Sequence, residues 1–422
     1  MQKLKDKRLY AINWLGNYFE TDMAYVAKSG FWMTVGQISA VVMAFGLSVF
    51  FANFVSKDFY GQYKFILSAI GILGTLSLTG MPNVLTQAIA KGKEGMLRKT
   101  VSLSFKWSFI MVLVGLSMSI YYLLNGNKVL GFSFAIASVC LPIINSYGLY
   151  GTYFSGKKNF KLSTVYWIFS QLLLNMGIIA IALFSESVLS LVAVYFVLSA
   201  GSATWSYFHV ISKYRPNTET DDSFLSYGKH VSFMNFFNSL ANQLDKILVF
   251  HYLGAANLAI YAFSQAIPEQ IKGSYKNLFN IALPKYAVLD EANLRSSIMK
   301  KTWQLTLITI VIVAVYIVLA PFVFELFFPK YTEAVIYSQI YMLGLIAIPG
   351  ISLFGIYFQI KKDAKTMYKL TTISNLITIA LTFVLIYNFG LKGAVIENGI
   401  SWLIMLLVNY YFFATHKEDL SR

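Results

Sequence analysis

At 422 residues, 57% hydrophobic, 17% aromatic and only 13% charged, with a mean hydropathy of +0.60, the chain is too apolar for a water-soluble domain and reads as a polytopic membrane protein. Its formal net charge of +15 does not point to nucleic acid, because the basic residues sit mostly in short loops between apolar stretches. The single cysteine, Cys140, excludes an intrachain disulfide and a Cys-based metal site, and His209, His230, His251 and His416 form no metal-binding spacing, so neither a metal nor a cofactor is expected.

Residues 1–28 open with Lys3, Lys5, Lys7 and Arg8, then mix Tyr10, Trp14, Tyr18 and Phe19 with Glu20 and Asp22. This pattern predicts a cytoplasmic segment lying at the membrane interface, and it lacks the apolar run of a cleaved signal peptide. Twelve apolar spans follow, at 29–53, 61–83, 101–124, 129–153, 162–184, 188–211, 230–253, 257–283, 303–328, 335–359, 370–388 and 391–414. Tight turns such as Asn125-Gly126-Asn127 join them in helical hairpins. Of the basic residues, only Lys57, Lys128, Lys330 and Lys392 fall in the odd-to-even turns, whereas the even-to-odd loops and the termini hold 25 of the 34. That asymmetry places both termini in the cytoplasm.

The longest connection, 212–229, contains Pro216 and the pair Asp221-Asp222 and lies at the chain's midpoint. It reads as a linker between an N-lobe over 29–211 and a C-lobe over 230–414, with a cytoplasmic tail at 415–422. The halves resemble each other. GTYFSGKK at 151–158 and GIYFQIKK at 355–362 share Gly, Tyr, Phe and both Lys, and each ends the fourth span of its half. An even number of spans per half makes this a parallel repeat.

The eighth span carries the chain's most costly residues. Gln265, Glu269, Lys272, Lys276 and Asn280 fall within a helical stripe roughly 80° wide, with Tyr261 beside it. A charge at bilayer centre costs about 2.5–3.5 kcal/mol, so this net-positive ridge is expected to face water or partner charges. Two readings follow: Glu269 and Lys272 neutralise each other within a helix contact, or the ridge lines a hydrated cavity that attracts an anion. In the seventh span, Asn235, Asn238, Asn242, Asp245 and Lys246 form a second stripe. They would complete a polar wall; alternatively the asparagines join helices through amide hydrogen bonds, and Asp245 and Lys246 form a neutral adjacent pair near the outer interface. Lys64 either snorkels to the outer interface or lines the same cavity. Pro142, Pro268 and Pro349 interrupt spans four, eight and ten as static kinks or hinges. Glu397 lies near the outer end of span twelve.

Several stretches resemble the polysaccharide-biosynthesis flippases of the multidrug/oligosaccharidyl-lipid/polysaccharide exporter superfamily. NQLDKILVFHYLGAANLAIYAFSQAI (242–267) matches an Asp in span seven, a Leu-Gly turn and a Tyr-Ala opening of span eight. ALPKYA (282–287) is similar to the Pro-containing end of that span, and FVSKDFYGQY (54–63) to the first turn. NLITIALTFVLIYNFGLKGAVIENGIS (375–401) carries the Gly390-Leu-Lys-Gly393-Ala394 turn, with Tyr387-Asn388 where the family places a Pro. The resemblance implies an all-α membrane protein of two six-helix lobes around a central cavity. It also implies alternating-access export of a polyprenyl-pyrophosphate-linked oligosaccharide, such as an O-antigen or capsule repeat unit, across the bacterial cytoplasmic membrane, alongside glycan polymerase machinery. On this reading Lys246, Lys272, Lys276 and Lys64 meet the pyrophosphate. Asn235, Asn238, Asn242, Gln265 and Tyr261 meet the sugars, and Asp245 or Glu269 takes H⁺ or Na⁺ as coupling ion. A multidrug exporter of the same fold is the alternative, although its cationic drugs favour acidic cavities. A membrane enzyme is not expected, because the loops are too short to present catalytic groups.

Overall fold

The computed structural model describes residues 23–286, 290–361 and 363–416, without the side chains of 23–28, 226, 227, 230, 234, 276–285 and 364. The regular structure of these residues is helical throughout. We label the α-helices α1 (Met23–Phe54), α2 (Lys57–Gly74), α3 (Met81–Ala90), α4 (Met96–Leu124), α5 (Lys128–Tyr147), α6 (Tyr150–Gly156), α7 (Phe160–Phe184), α8 (Val188–Tyr214), α9 (Ser223–Leu253), α10 (Ala255–Tyr286), α11 (Glu291–Phe327), α12 (Ala334–Gly344), α13 (Ile348–Ile360) and α14 (Ala364–Thr415).

Among the described residues, eight stretches are long and apolar enough to cross a membrane. The last, Lys365–Thr415, spans 51 residues and would be about 75 Å long if straight, more than twice the hydrocarbon thickness. It is two arms. Gly390 has φ 58° and ψ −134°, a conformation open to glycine. Beyond it the chain folds back so tightly that a Cβ on Gly393 would lie 1.9 Å from the Leu385 carbonyl oxygen. The polar stripes keep α9 and α10 from qualifying on composition, although at 31 and 32 residues both are long enough. With α2, these complete the expected twelve spans.

Local chemistry explains where the helices stop. Asn127 caps α5 by accepting from the Leu130 N–H at 3.1 Å, after Gly126 turns the chain at φ +78°. Asp221 accepts from the Ser223 N–H at 3.0 Å and from its hydroxyl at 2.7 Å, so α9 starts at Ser223, earlier than the expected 230. Span two is broken: α2 ends at Gly74, and α3 begins at Met81 with Pro82 in its first turn. Pro349 likewise stands in the first turn of α13, where span ten divides. Pro142 and Pro268 interrupt nothing, since helix continues through both. The interfacial segment expected over 1–28 lies outside the described residues up to 22, and from Met23 the chain is already in α1.

The chain forms two compact units. The first comprises Met1–Ala44, Gly74–Ile181 and Val192–Phe233. Its core gathers Leu78, Met81, Leu85, Leu97, Tyr153, Phe154 and Val210. Gly80 in this unit has no room for a side chain, because a Cβ would meet the Gly228 carbonyl oxygen at 2.6 Å. The second comprises Phe45–Leu73, Ala182–Leu191 and Met234–Arg422, with a core around Ile298, Met342, Phe354, Tyr357 and Phe358. Large apolar side chains such as Phe109, Leu124, Phe184, Val318, Phe322 and Leu326 remain exposed, as expected of helices solvated by lipid rather than water.

Candidate functional site: a charged cavity in the second unit

Four helices of the second unit bring polar side chains to one cavity of about 430 Å³. The single residue Gly254, at φ +86°, joins α9 to α10, so the stripes of the two helices are presented side by side. From α9 come Asn242, Gln243, Asp245 and Lys246; from α10, Gln265, Glu269 and Lys272. The second arm of α14 adds Glu397, Asn398, Ser401 and Trp402, its first arm Thr378, and α12 adds Tyr341. Helices α12 and α14 approach closely through small residues. A Cβ on Gly344 would sit 2.9 Å from Gly399 Cα and 2.8 Å from the Trp402 ring. This contact sets Tyr341 and Trp402 edge to face, with centroids 5.2 Å apart at 85°.

Two acid–base pairs organise the cavity. The Lys272 ammonium donates to Glu269 Oε1 at 2.9 Å and lies 4.6 Å from the Trp402 ring centroid. Tyr341 donates a short hydrogen bond to the same Glu269 oxygen. The Lys246 ammonium is 3.7 Å from Asp245 Oδ1 and donates to the Asn242 carbonyl at 3.2 Å and to Gln243 Oε1 at 3.4 Å. Asp245 Oδ2 accepts from the buried Tyr261 hydroxyl at 2.7 Å, and that hydroxyl accepts from Asn398 Nδ2 at 3.1 Å. A third carboxylate, Glu397, is 2% exposed and accepts from Ser401 at 2.6 Å.

Burying such charges costs several kcal/mol per ion before pairing. Each carboxylate is therefore met by a hydroxyl, and two of the three also by an ammonium. The cavity lining holds three carboxylates and two ammonium groups. Lys276, which makes the ridge expected on α10 net positive, has its side chain outside the described residues.

A sequence model of the polysaccharide biosynthesis protein family matches residues 26–285, more than half the chain. The chain belongs to this family. No curated protein sequence matches it. Among solved structures, this family member is similar to the lipid II flippase MurJ in an inward closed conformation, with a TM-score of 0.67 and 14% identity over 90% of this chain and 87% of that one. An outward-facing multidrug resistance MATE transporter of the MOP superfamily gives 0.61 and 13% identity over 93% and 95%. A MOP superfamily transporter from Pyrococcus furiosus, described by the reverse polarity of its binding pocket, gives 0.59 and 13% identity with the same coverage. At these identities the likeness establishes the fold alone, an all-helical polytopic one.

Six residues singled out from the sequence of this polysaccharide biosynthesis protein come together in the cavity: Lys246, Lys272, Asn242, Gln265, Asp245 and Glu269. Tyr261 is fully buried behind the lining and holds Asp245. Asn238 serves helix packing, accepting from Asn375 Nδ2 at 2.8 Å. Asn235 is half-buried and outside the lining. Lys64 is also outside it, with its ammonium 5.3 Å from the Tyr60 ring centroid. The side chains of Lys276 and Asn280 lie outside the described residues. Sequence reasoning left Glu397 without a place and missed Tyr341, Asn398, Ser401 and Trp402. The signal was present in part: Glu397, Asn398 and Ser401 follow i, i+1, i+4 spacing within an apolar helix.

Proposed function

We propose that this protein is a flippase for a polyprenyl-pyrophosphate-linked oligosaccharide, moving the glycan from the cytoplasmic to the outer leaflet of a bacterial cytoplasmic membrane by alternating access. The observation that carries the reading is the pair of lysine–carboxylate couples facing a polar cavity within a bundle of membrane-spanning helices. A pyrophosphate needs compensating cations in a medium of low dielectric constant, and Lys246 and Lys272 present them on adjacent helices. Asp245 and Glu269 pair with those ammonium groups until a substrate binds. A pyrophosphate taking their place leaves two carboxylates unpaired, and binding H⁺ or Na⁺ there offsets the cost. That exchange couples substrate to ion. The amides of Asn242, Gln265 and Asn398 offer hydrogen bonds to sugar hydroxyls. An O-antigen or capsule repeat unit is the substrate class in view, with both termini in the cytoplasm and polymerase machinery receiving the product.

The test is a Lys246→Ala, Lys272→Ala double variant in the native host. Surface polysaccharide should disappear while the protein still reaches the membrane in normal amount. Normal polysaccharide would remove the basis for the reading.

The three carboxylates among the described lining residues, Asp245, Glu269 and Glu397, favour a second reading, a cation exporter of the same fold. Resistance to organic cations conferred by the wild-type protein, and lost in Glu397→Gln, would select it.

A further inference from the structure

The repeated Tyr-Phe-x-x-Lys stretches build the same side-chain cluster twice, once inside each compact unit. In the first unit, Glu94 precedes α4 and is buried to 8% exposure. It pairs with Lys157 and accepts from the Tyr153 hydroxyl at 3.4 Å and from the Asn217 backbone N–H at 3.3 Å. In the second unit, Glu291 opens α11. It pairs with Lys361 and accepts from the Tyr357 hydroxyl at 2.7 Å. Tyr153 and Tyr357, like Lys157 and Lys361, stand 204 residues apart.

The correspondence extends to a third element. In the first cluster the glutamate holds the chain just after α8, where the Asn217 amide also donates to the Gly92 carbonyl at 2.9 Å. A Cβ on Gly95 would lie 2.6 Å from the Thr218 carbonyl, so the linker lies flat against this helix start. In the second cluster Arg295 makes the equivalent tie to the end of α14. It donates to Glu291 at 2.6 Å, to the Tyr357 hydroxyl at 2.9 Å, to the Phe413 carbonyl at 3.1 Å and to the His416 carbonyl through a shorter bond. Each cluster thus joins the start of its half's third span to the end of the fourth and the end of the sixth.

We propose that these clusters are equivalent anchors that remain closed through the transport cycle, so that in each half the joined ends of the third, fourth and sixth spans move as one body. The dynamic part of this inference rests on the transport reading above. The physical reason is cost. Opening a cluster strands a partly buried carboxylate, a tyrosine hydroxyl and an ammonium at once, whereas the cavity pairs have an incoming pyrophosphate to replace their partners.

Two measurements test it. Melting temperatures of Glu94→Gln, Lys157→Met and their double variant, and of Glu291→Gln, Lys361→Met and theirs, should fall by about 2–6 °C for each single change, with the loss in each double variant well short of the sum of its singles. Additive losses in either half would overturn the anchor. In a Cys140→Ser background, cysteines replacing Lys93 and Glu219, or Asp363 and His416, whose native side-chain ends meet at 3.0 Å and 3.7 Å, can be bridged by a short bis-methanethiosulfonate. Bridged protein should sustain surface polysaccharide in cells within twofold of unbridged protein. Loss on bridging, regained on reduction, would show that the clusters open. Failure of bridged and unbridged protein alike would instead count against the transport reading, and the melting cycles would still decide the anchors.

Discussion

The Tyr261 hydroxyl is a relay: it donates to Asp245 Oδ2 at 2.7 Å and accepts from Asn398 Nδ2 at 3.1 Å. One fully buried phenol thereby fixes the carboxylate of α9 against the second arm of α14. Tyr261→Phe keeps the packing and removes both bonds. It should cost about 1–3 kcal/mol of stability, the usual penalty for a buried polar group losing its partner, read as a lowered melting temperature. Surface polysaccharide should fall with it, more than in Tyr316→Phe, which loses a buried hydroxyl bond to Ser338 away from the cavity.

The pair Lys272–Glu269 separates stability from function. Its side chains keep 33% and 41% exposure, so solvent screens the attraction and the stability cost of Glu269→Gln should be about 1 kcal/mol, well below that of a sealed pair. Transport should nevertheless drop severalfold, because Lys272 loses its charged partner and keeps the weaker hold of the Trp402 ring. Lys272→Arg should retain part of the activity and Lys272→Met none, measured as polysaccharide per unit of membrane-inserted protein.

Gly61 tests the packing that carries α2. A Cβ there would fall 1.8 Å from the Ala255 carbonyl oxygen, whereas Gly46 has open space around it. Gly61→Ala should destabilise by at least about 1–3 kcal/mol, the cost of forced overpacking. Gly46→Ala should be neutral or slightly stabilising, since alanine favours helix. Equal melting temperatures for the two variants would contradict the close approach.

Asp363 caps α14, accepting from the Thr366 N–H at 3.0 Å. Burial works against its carboxylate, but the Thr366 hydrogen bonds and nearby His416 outweigh that and hold its pKa below the ordinary value. A carboxyl more acidic in the folded chain stabilises fully above the unfolded pKa, about 3.9, and loses that contribution as pH falls through the folded value. Asp363→Ala should therefore cost about 1 kcal/mol near neutral pH. The gap from wild type should close below about pH 4.

The helices were readable because crossing a bilayer imposes a length and a composition that few other constraints mimic. The stripes on α9 and α10 were readable for the same reason in reverse: five polar side chains on one face of an apolar helix have no cheap alternative to facing one another or water. Tyr341 and Trp402 were not readable. Aromatic residues are common in this chain, and the crossing of α12 and α14 at Gly344 and Gly399 brings Tyr341 to Glu269 and Trp402 to Lys272. Glu397 could not be placed because it is distant in sequence from the stripes it joins, and a tally along one helix omits what another contributes. The breaks at 75–80 and 345–347 are set by packing and by Pro82 and Pro349 at helix starts, whereas Pro142 and Pro268 show that proline alone does not mark a boundary.

Gly390 reverses α14 by itself, and Gly254 alone joins α9 to α10. Since a residue of chain reaches no more than about 3.5 Å, partners tethered this closely cannot be drawn apart at the tethered ends. Whatever widening this part of the molecule permits must be greatest at the opposite ends of those partners, as with tongs gripped at the pivot.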